Sequence, residues 1–291
     1  MGTLSTPKRI LITGASRGIG RQAAILLARR GHTLVLAARS VAALRAVADE
    51  IAANGGRAEV LPMDVTSYDS VARAIAQMLS GGPCDVLVNN AGVLFQEQFL
   101  AQLPAQLQAE MELNYWGPQR VTRAVLPSMI ARNAGTIVNV SSLLGFIGTP
   151  TTANYCASKA ALNAWTHALR GEVERFGIRT VLFVAPHTQT ELGARAVFDG
   201  VVSLPVEYTA NHLCRAIDRA PRQYAGSPVY RVLIRVAAWF PVFMERQLAG
   251  SVKRLLLGEH ASNDPRALQR GTEAATHIPQ SRLPDGPALP R

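Results

Sequence analysis

A tyrosine and a lysine stand four residues apart in the run Tyr155-Cys156-Ala157-Ser158-Lys159, and Ser142 lies thirteen residues before the tyrosine. Positions four apart share one face of a helix, so the phenol and the ammonium point into one cleft. A phenol titrates near ~10 when unperturbed. A cation held beside it favours the phenolate and brings Tyr155 into range for proton transfer near neutral pH. Composition sharpens the point, because Lys8, Lys159 and Lys253 are the only lysines in an arginine-rich chain. A compact ammonium on a flexible stem suits this chemistry better than a planar guanidinium fork. Taken alone, the same four-residue spacing also fits an ordinary exposed helix face, and Ser142 alone fits a turn cap.

These groups need a scaffold, and the N-terminal segment describes one. Residues 8–13 read Lys-Arg-Ile-Leu-Ile-Thr, a short apolar run that suits a buried parallel strand. The turn Gly14-Ala15-Ser16-Arg17-Gly18-Ile19-Gly20 follows, and then a helical pattern through Arg30. Strand, glycine-rich turn and helix are the context of a dinucleotide-binding turn. Glycines let the backbone bend and approach a pyrophosphate, and the helix N-terminus offers it free N–H groups. A second strand, residues 33–38, ends at Arg39-Ser40, where no acid is available for a ribose 2′-hydroxyl. Arg39 and Ser40, with Arg17 in the turn, suit a 2′-phosphate instead, which favours NADP over NAD.

Further motifs follow in order: Asp64-Val65 after an apolar strand, Asn89-Asn90-Ala91-Gly92, Asn114, Ser141-Ser142, and Tyr155 with Lys159. Jointly they resemble the short-chain dehydrogenase/reductase family over about residues 8–200. The resemblance implies a doubly wound parallel α/β sheet of the Rossmann-like kind. It implies that Asp64 and Val65 lie by the adenine and Asn90 by the cofactor ribose. It implies a tetrad in which Ser142 holds a substrate carbonyl, Tyr155 passes the proton, Lys159 binds the nicotinamide ribose and tunes Tyr155, and Asn114 holds a water of a proton relay. Two departures stand out. The family follows its sixth strand with Pro-Gly and a threonine for the nicotinamide carboxamide, whereas this chain reads Ala185-Pro186-His187-Thr188-Gln189-Thr190. Thr188 is the first candidate for that contact and Thr190 the second. The glycine-rich strand that closes the sheet in many members is not visible towards the C-terminus.

The 291 residues read as one catalytic domain, 1–228, an apolar basic helical extension, 229–257, divided by Pro241, and a disordered tail, 258–291, rich in small and polar residues. Residues 206–219 carry a helical pattern. Three scattered cysteines and no metal-ligand spacing argue against a disulfide framework or a metal site and suggest a reducing, cytoplasmic compartment. The formal charge of +10 raises nucleic acid as a partner, but no interleaved aromatic platform accompanies it, and no nucleic acid is expected. The regions 93–103, 143–153 and 187–204, which would shape a substrate pocket, are mainly apolar. The expectation is therefore an NADP(H)-dependent oxidoreductase that interconverts a carbonyl and an alcohol on a hydrophobic small molecule, working as a homodimer or homotetramer. Residues 229–257 would form two short helices that cover the cleft, with their outer face in peripheral contact with a membrane or packed against the core or a dimer partner. A sugar-nucleotide epimerase or dehydratase, and a cofactor-binding regulator without turnover, are the competing expectations.

Overall fold

The computed structural model describes residues 6–198 and 200–250. Seven parallel strands form one sheet: β1 (Arg9–Thr13), β2 (Thr33–Ala38), β3 (Arg57–Pro62), β4 (Val86–Asn89), β5 (Gly135–Ser142), β6 (Ile178–Ala185) and β7 (Gln223–Ala225), in the spatial order β3-β2-β1-β4-β5-β6-β7. Helices α1 (Gly18–Ala28), α2 (Val41–Ala53), α3 (Tyr68–Ser80), α4 (Pro104–Met111), α5 (Gly117–Ala131), α6 (Ala153–Val173), α7 (Val206–Arg219), α8 (Pro228–Trp239) and α9 (Pro241–Gly250) connect and cover them.

Side chains alternate across each strand, and both faces are apolar. Ile10 and Ile12 of β1 therefore join α1, α2 and α7 in one core, while Leu11 joins α3, α5 and α6 in the other. Fully burying such a side chain contributes about 1.5–3 kcal/mol. A strand buried on both faces must read as a continuous apolar run, as β1 and β2 do. The strand order reverses between β1 and β4, and crevices for ligands open there, beyond the carboxyl ends of the strands.

Two elements of the fold were not legible in the sequence. A closing strand exists: β7 pairs parallel with β6 through Leu182–Gln223, Phe183–Tyr224 and Val184–Ala225. Its three residues are too few to show a period, and its pairing is dictated by the neighbouring strand rather than by its own composition. Around Asn114 the helix is not α-helical throughout: Glu112–Trp116 forms a π-helical turn between α4 and α5. The expected tail, 258–291, and residues 251–257 of the extension lie outside the described residues.

Candidate active site

The glycine turn after β1 is pressed against the turn after β4. Gly14 has φ +67°, in the left-handed region, and a Cβ built there would stand 2.9 Å from Ala91 Cα. Only glycine meets both demands without strain. The Thr13 hydroxyl accepts from the amides of Asn90 (3.0 Å) and Ala91 (3.1 Å), and the Asn90 side chain donates back to the Thr13 carbonyl at 2.9 Å. Asn90 therefore welds the two turns together. Arg17 caps α1 with extended backbone and no side-chain bond, which leaves the first N–H groups of α1 without a protein cap from that residue. Gly14, Ser16, Arg17, Gly18 and Ile19 line one long cavity of about 810 Å³, and Gly20 lies buried just behind them.

Arg39, Ser40, Asp64 and Val65 line the far end of the same cavity. Arg39 is exposed and makes no hydrogen bond or ion pair among the described residues. The Ser40 hydroxyl accepts from the Ala43 amide and caps α2. Burial opposes ionisation of Asp64, but the Thr66 amide (2.9 Å) and hydroxyl (2.8 Å), with Arg39 and Arg120 nearby, hold its carboxyl below the ordinary value. Arg17 differs from Arg39: its guanidinium pairs at 2.6 Å with Glu191, on the segment that follows β6. Both partners are largely exposed, so the pair contributes little stability.

At the other end the cavity meets Ser142, Tyr155 and Lys159. Ser142 ends β5, and its Oγ accepts from the Leu144 amide at 3.2 Å, which leaves its own proton to give. Tyr155 and Lys159 lie on α6 and are both buried. Lys159 Nζ donates to the Val140 carbonyl at 3.0 Å and stands 5.8 Å from the centre of the Tyr155 ring. The expected lowering of the phenol is not what this arrangement gives. Burial against Leu94, Ala196, Leu144, Leu192 and Phe198 pushes Tyr155 above its ordinary value, and a hydrogen bond from Ser142 only partly opposes that. Burial lowers Lys159 to about 8. Desolvation outweighs proximity because the ammonium is turned to a backbone carbonyl.

Asn114 is fully buried in the π-helical turn. Such turns occur often at functional sites. Asn114 Oδ1 accepts from the Val93 amide at 2.9 Å, while Nδ2 donates to the Val93 carbonyl (2.9 Å) and to Ser158 Oγ (3.0 Å). Both its donors are spent, so the side chain offers a water only a second lone pair on Oδ1. A methyl built on Gly92 would stand 3.1 Å from Asn114 Oδ1 and 3.7 Å from Lys159 Nζ, so the two side chains converge over that glycine.

Thr188 lines the cavity, but its hydroxyl donates to the Pro186 carbonyl (2.7 Å) and shares a 2.8 Å hydrogen bond with Thr209. That hydroxyl is committed to the protein. Thr190 lies nearer the glycine turn, since a methyl on Gly18 would meet its Cγ2 at 3.3 Å. Three positions escaped the motif reading. The buried carboxylate of Glu110 accepts from the Phe95 amide (2.8 Å) and from Asn154 (2.6 Å), which ties the 93–96 loop to the first turn of α6. Gln96 pairs with Val197 through both backbone groups and donates to Thr151, a β-branched residue at φ +66°. Tyr230 of α8 enters the cavity wall. None of the three belongs to a motif, and a lone polar residue in a loop or an apolar helix carries no signal of its partners.

Comparison with known proteins places the chain in a family. Residues 8–198 match the profile of the short chain dehydrogenase family. The chain is 36% identical over 192 residues to the ketoacyl reductase HetN of Nostoc, an alignment that takes in 66% of this chain and 67% of HetN. It is 35% identical over 193 residues to mouse dehydrogenase/reductase SDR family member 7B, covering 65% of this chain but only 60% of that relative. Among solved structures, a metagenomic short-chain oxidoreductase in complex with NADP superposes with a TM-score of 0.65 at 32% identity, over 76% of this chain and 94% of the other. A glycine turn welded to the β4 turn, a serine at the end of β5 beside a buried tyrosine and lysine near the start of α6, and a family match across all of them lead to one statement: this chain belongs to the short-chain dehydrogenase/reductase family and is an oxidoreductase of that family.

Proposed function

We propose that the protein is an NADP(H)-dependent oxidoreductase that interconverts a carbonyl and an alcohol on a hydrophobic small molecule. The observation that carries the reading is the single cavity that joins the glycine turn to the half-buried Ser142 and the buried Tyr155 and Lys159, and is walled there by Leu94, Leu144, Leu192 and Phe198. The residues fit a dinucleotide. The turn brings Gly14 and Gly18 to the cavity wall at the N-terminus of α1, and Arg39 is free of partners among the described residues at the end where a 2′-phosphate would lie. When bound, the dinucleotide supplies the hydride.

The chain's own groups do the rest. The Ser142 hydroxyl has a proton to give and donates it as a hydrogen bond to the carbonyl oxygen. Tyr155 is held protonated by burial, so it acts as the acid that neutralises the oxygen as an alkoxide develops there. Lys159, lowered to about 8, is an ammonium that gives up its proton readily, and it replaces the proton lost from Tyr155. In the opposite direction the same groups run in reverse. Arg39 and Ser40 would hold the 2′-phosphate, and Arg17, now paired with Glu191, lies within the same cavity to join them. The NADP complex of the metagenomic relative supports this choice of cofactor. The test is direct: NADPH consumption on a panel of aliphatic and aromatic ketones and aldehydes. Tight NADPH binding with no hydride transfer to any of them would favour a cofactor-binding regulator.

The same reading gives α8 and α9 two faces. Leu233, Val236 and Ala237 pack inward with Phe146 and Ile147. Outward stand Val232, Trp239, Phe240, Val242 and Phe243, with Trp239 80% exposed, beside exposed Arg231, Arg235 and Arg246. No described helix is long and apolar enough to cross a membrane. This outer face suits peripheral contact with an anionic lipid surface, which would also bring an apolar substrate to the cavity. An assembly of two or four identical chains completes the proposal, and light scattering tests it.

A further inference from the structure

We infer that Tyr230, positioned by the His187 amide, forms a second polar station in the substrate end of the cavity. There Tyr230 donates a hydrogen bond to an acceptor oxygen carried by the substrate in addition to its reacting carbonyl. The inference rests on the carbonyl–alcohol reading above and narrows it to bifunctional substrates, such as keto esters.

The backbone explains why Tyr230 stands there. Gly226 donates its amide to the Val184 carbonyl at 2.9 Å, and a Cβ on it would come within 2.7 Å of Pro186 Cδ. The absence of a side chain therefore lets the β7–α8 connection lie flat on the Pro186 turn. Ser227 and Pro228 then start α8, and Tyr230 falls in its first turn, over the residues that follow β6. Tyr230 is packed with Leu182, Val184 and Ala225, and its ring lines the cavity. Its oxygen accepts from the His187 amide at 3.0 Å. That bond uses a lone pair and fixes the direction of the hydroxyl, while its proton has no acceptor among the described residues. A half-buried phenol with an unspent donor, set in an apolar wall, asks for an acceptor.

His187 holds the surroundings of the station in place. Its Nε2 faces two carbonyl oxygens, Gly193 at 3.2 Å and Ala196 at 3.1 Å, so Nε2 carries the ring proton. Its Nδ1 is then an acceptor, and it is buried without a partner. The ring meets Phe198 edge to face, with centroids 5.8 Å apart. His187 thus holds the 193–198 segment over the cavity with its ring, while its backbone amide positions the Tyr230 oxygen. Ser142, at the end of the neighbouring strand, lines the same cavity. A substrate whose carbonyl oxygen meets Ser142 and Tyr155 can present a second oxygen to Tyr230.

The test compares two matched series, straight-chain methyl ketones and 3-oxo esters of equal length, with NADPH, in wild type and Tyr230→Phe. Phenylalanine keeps the ring and removes only the hydroxyl. The wild type should favour the 3-oxo esters. The variant should raise their KM roughly tenfold, the value of one neutral hydrogen bond, and leave the simple ketones and the NADPH affinity unchanged. The His187 amide also loses its acceptor in this variant, and a general loosening of the segment would slow both series alike. Equal slowing, or no change in either series, removes this inference while leaving the carbonyl reading intact. No turnover of either series by the wild type removes this inference together with the reading beneath it.

Discussion

Lys159 has a measurable consequence for stability that does not depend on knowing the substrate. Its ammonium is buried on α6, and burial lowers it from the ordinary 10.5 to about 8. A difference of that size corresponds to roughly 3 kcal/mol. The sign follows from proton counting. Between about pH 8 and pH 10.5 the unfolded chain keeps this proton and the folded chain has released it, so the unfolding free energy rises with pH across that window. Below about 8 both states hold the proton and the folded protein bears the full cost of a buried charge. Replacing Lys159 with methionine removes that cost but also the hydrogen bond to Val140 O, worth ~1 kcal/mol. Lys159→Met, measured without dinucleotide, should therefore be more stable than wild type by roughly 2 kcal/mol at pH 7. The advantage should shrink as pH rises and be gone by about pH 10.5. Cys84 and Cys214, pushed by burial to about 12, and Tyr155, also pushed up, act oppositely above pH 9. They are present in both proteins, so the difference between the two isolates Lys159. Urea unfolding followed by circular dichroism under reducing conditions, at half-unit steps from pH 7 to 10.5, reads it out. A difference that stays flat with pH, or a variant less stable at pH 7, would refute the desolvation argument.

Three further outcomes are expected. Tyr155→Phe should lose about 10²–10⁴-fold in turnover while NADPH affinity, read by fluorescence, stays as in wild type, because only the acidic hydroxyl is gone; normal turnover would end the proposed role of Tyr155. Arg39→Ala should lose most of the preference for NADPH over NADH, by roughly tenfold or more, because a charge-assisted bond to the 2′-phosphate is worth ~1.5–3 kcal/mol; equal affinities in the wild type would sink the cofactor assignment. The full chain should float with anionic liposomes at low salt, and a double variant, Trp239→Ser with Phe240→Ser, should float less; both staying in the soluble fraction would leave α8 and α9 without a lipid role.

What could be read in the sequence divides along physical lines. The strand over residues 33–38 has the bounds expected of it, because a strand buried on both faces must be apolar at every step. The helix over residues 206–219 was equally legible, since Ala210, Leu213, Cys214 and Ile217 repeat at the helical spacing and all are buried. The cavity also gathers Gly14, Arg39, Asp64, Asn90, Ser142, Tyr155 and Lys159, because each stands at the carboxyl end of a strand or on the helix that follows. What was not legible depends on remote partners. β7 takes its identity from the ladder of β6. The titration of Tyr155 is governed by Leu94, Ala196 and Phe198, residues far from it in sequence, so the four-residue spacing to Lys159 could suggest a lowered phenol but not weigh it against desolvation. The hydroxyl of Thr188 turns towards Thr209, twenty-one residues on, and no local pattern records such a choice.

The part of the chain that matches the family profile ends at residue 198, and every group proposed to handle hydride or proton lies within it. Tyr230 and α8 lie beyond it. The division has a structural cause. The proton-handling groups are anchored to sheet ends whose register is dictated by two buried cores, so shifting one of them means shifting the core. α8 has no such constraint: its contacts are with the end of β6, with β7 and with the Phe146–Ile147 turn. Its sequence can change which groups reach the cavity while leaving the catalytic frame in place. His187 is the joint between the two parts, since its backbone amide is bound by Tyr230 from α8 while its ring holds the 193–198 segment that closes over Tyr155. A change of residue at 187 should therefore alter both which substrates enter and how well the cavity closes over them, whereas a change at 230 should alter the first alone.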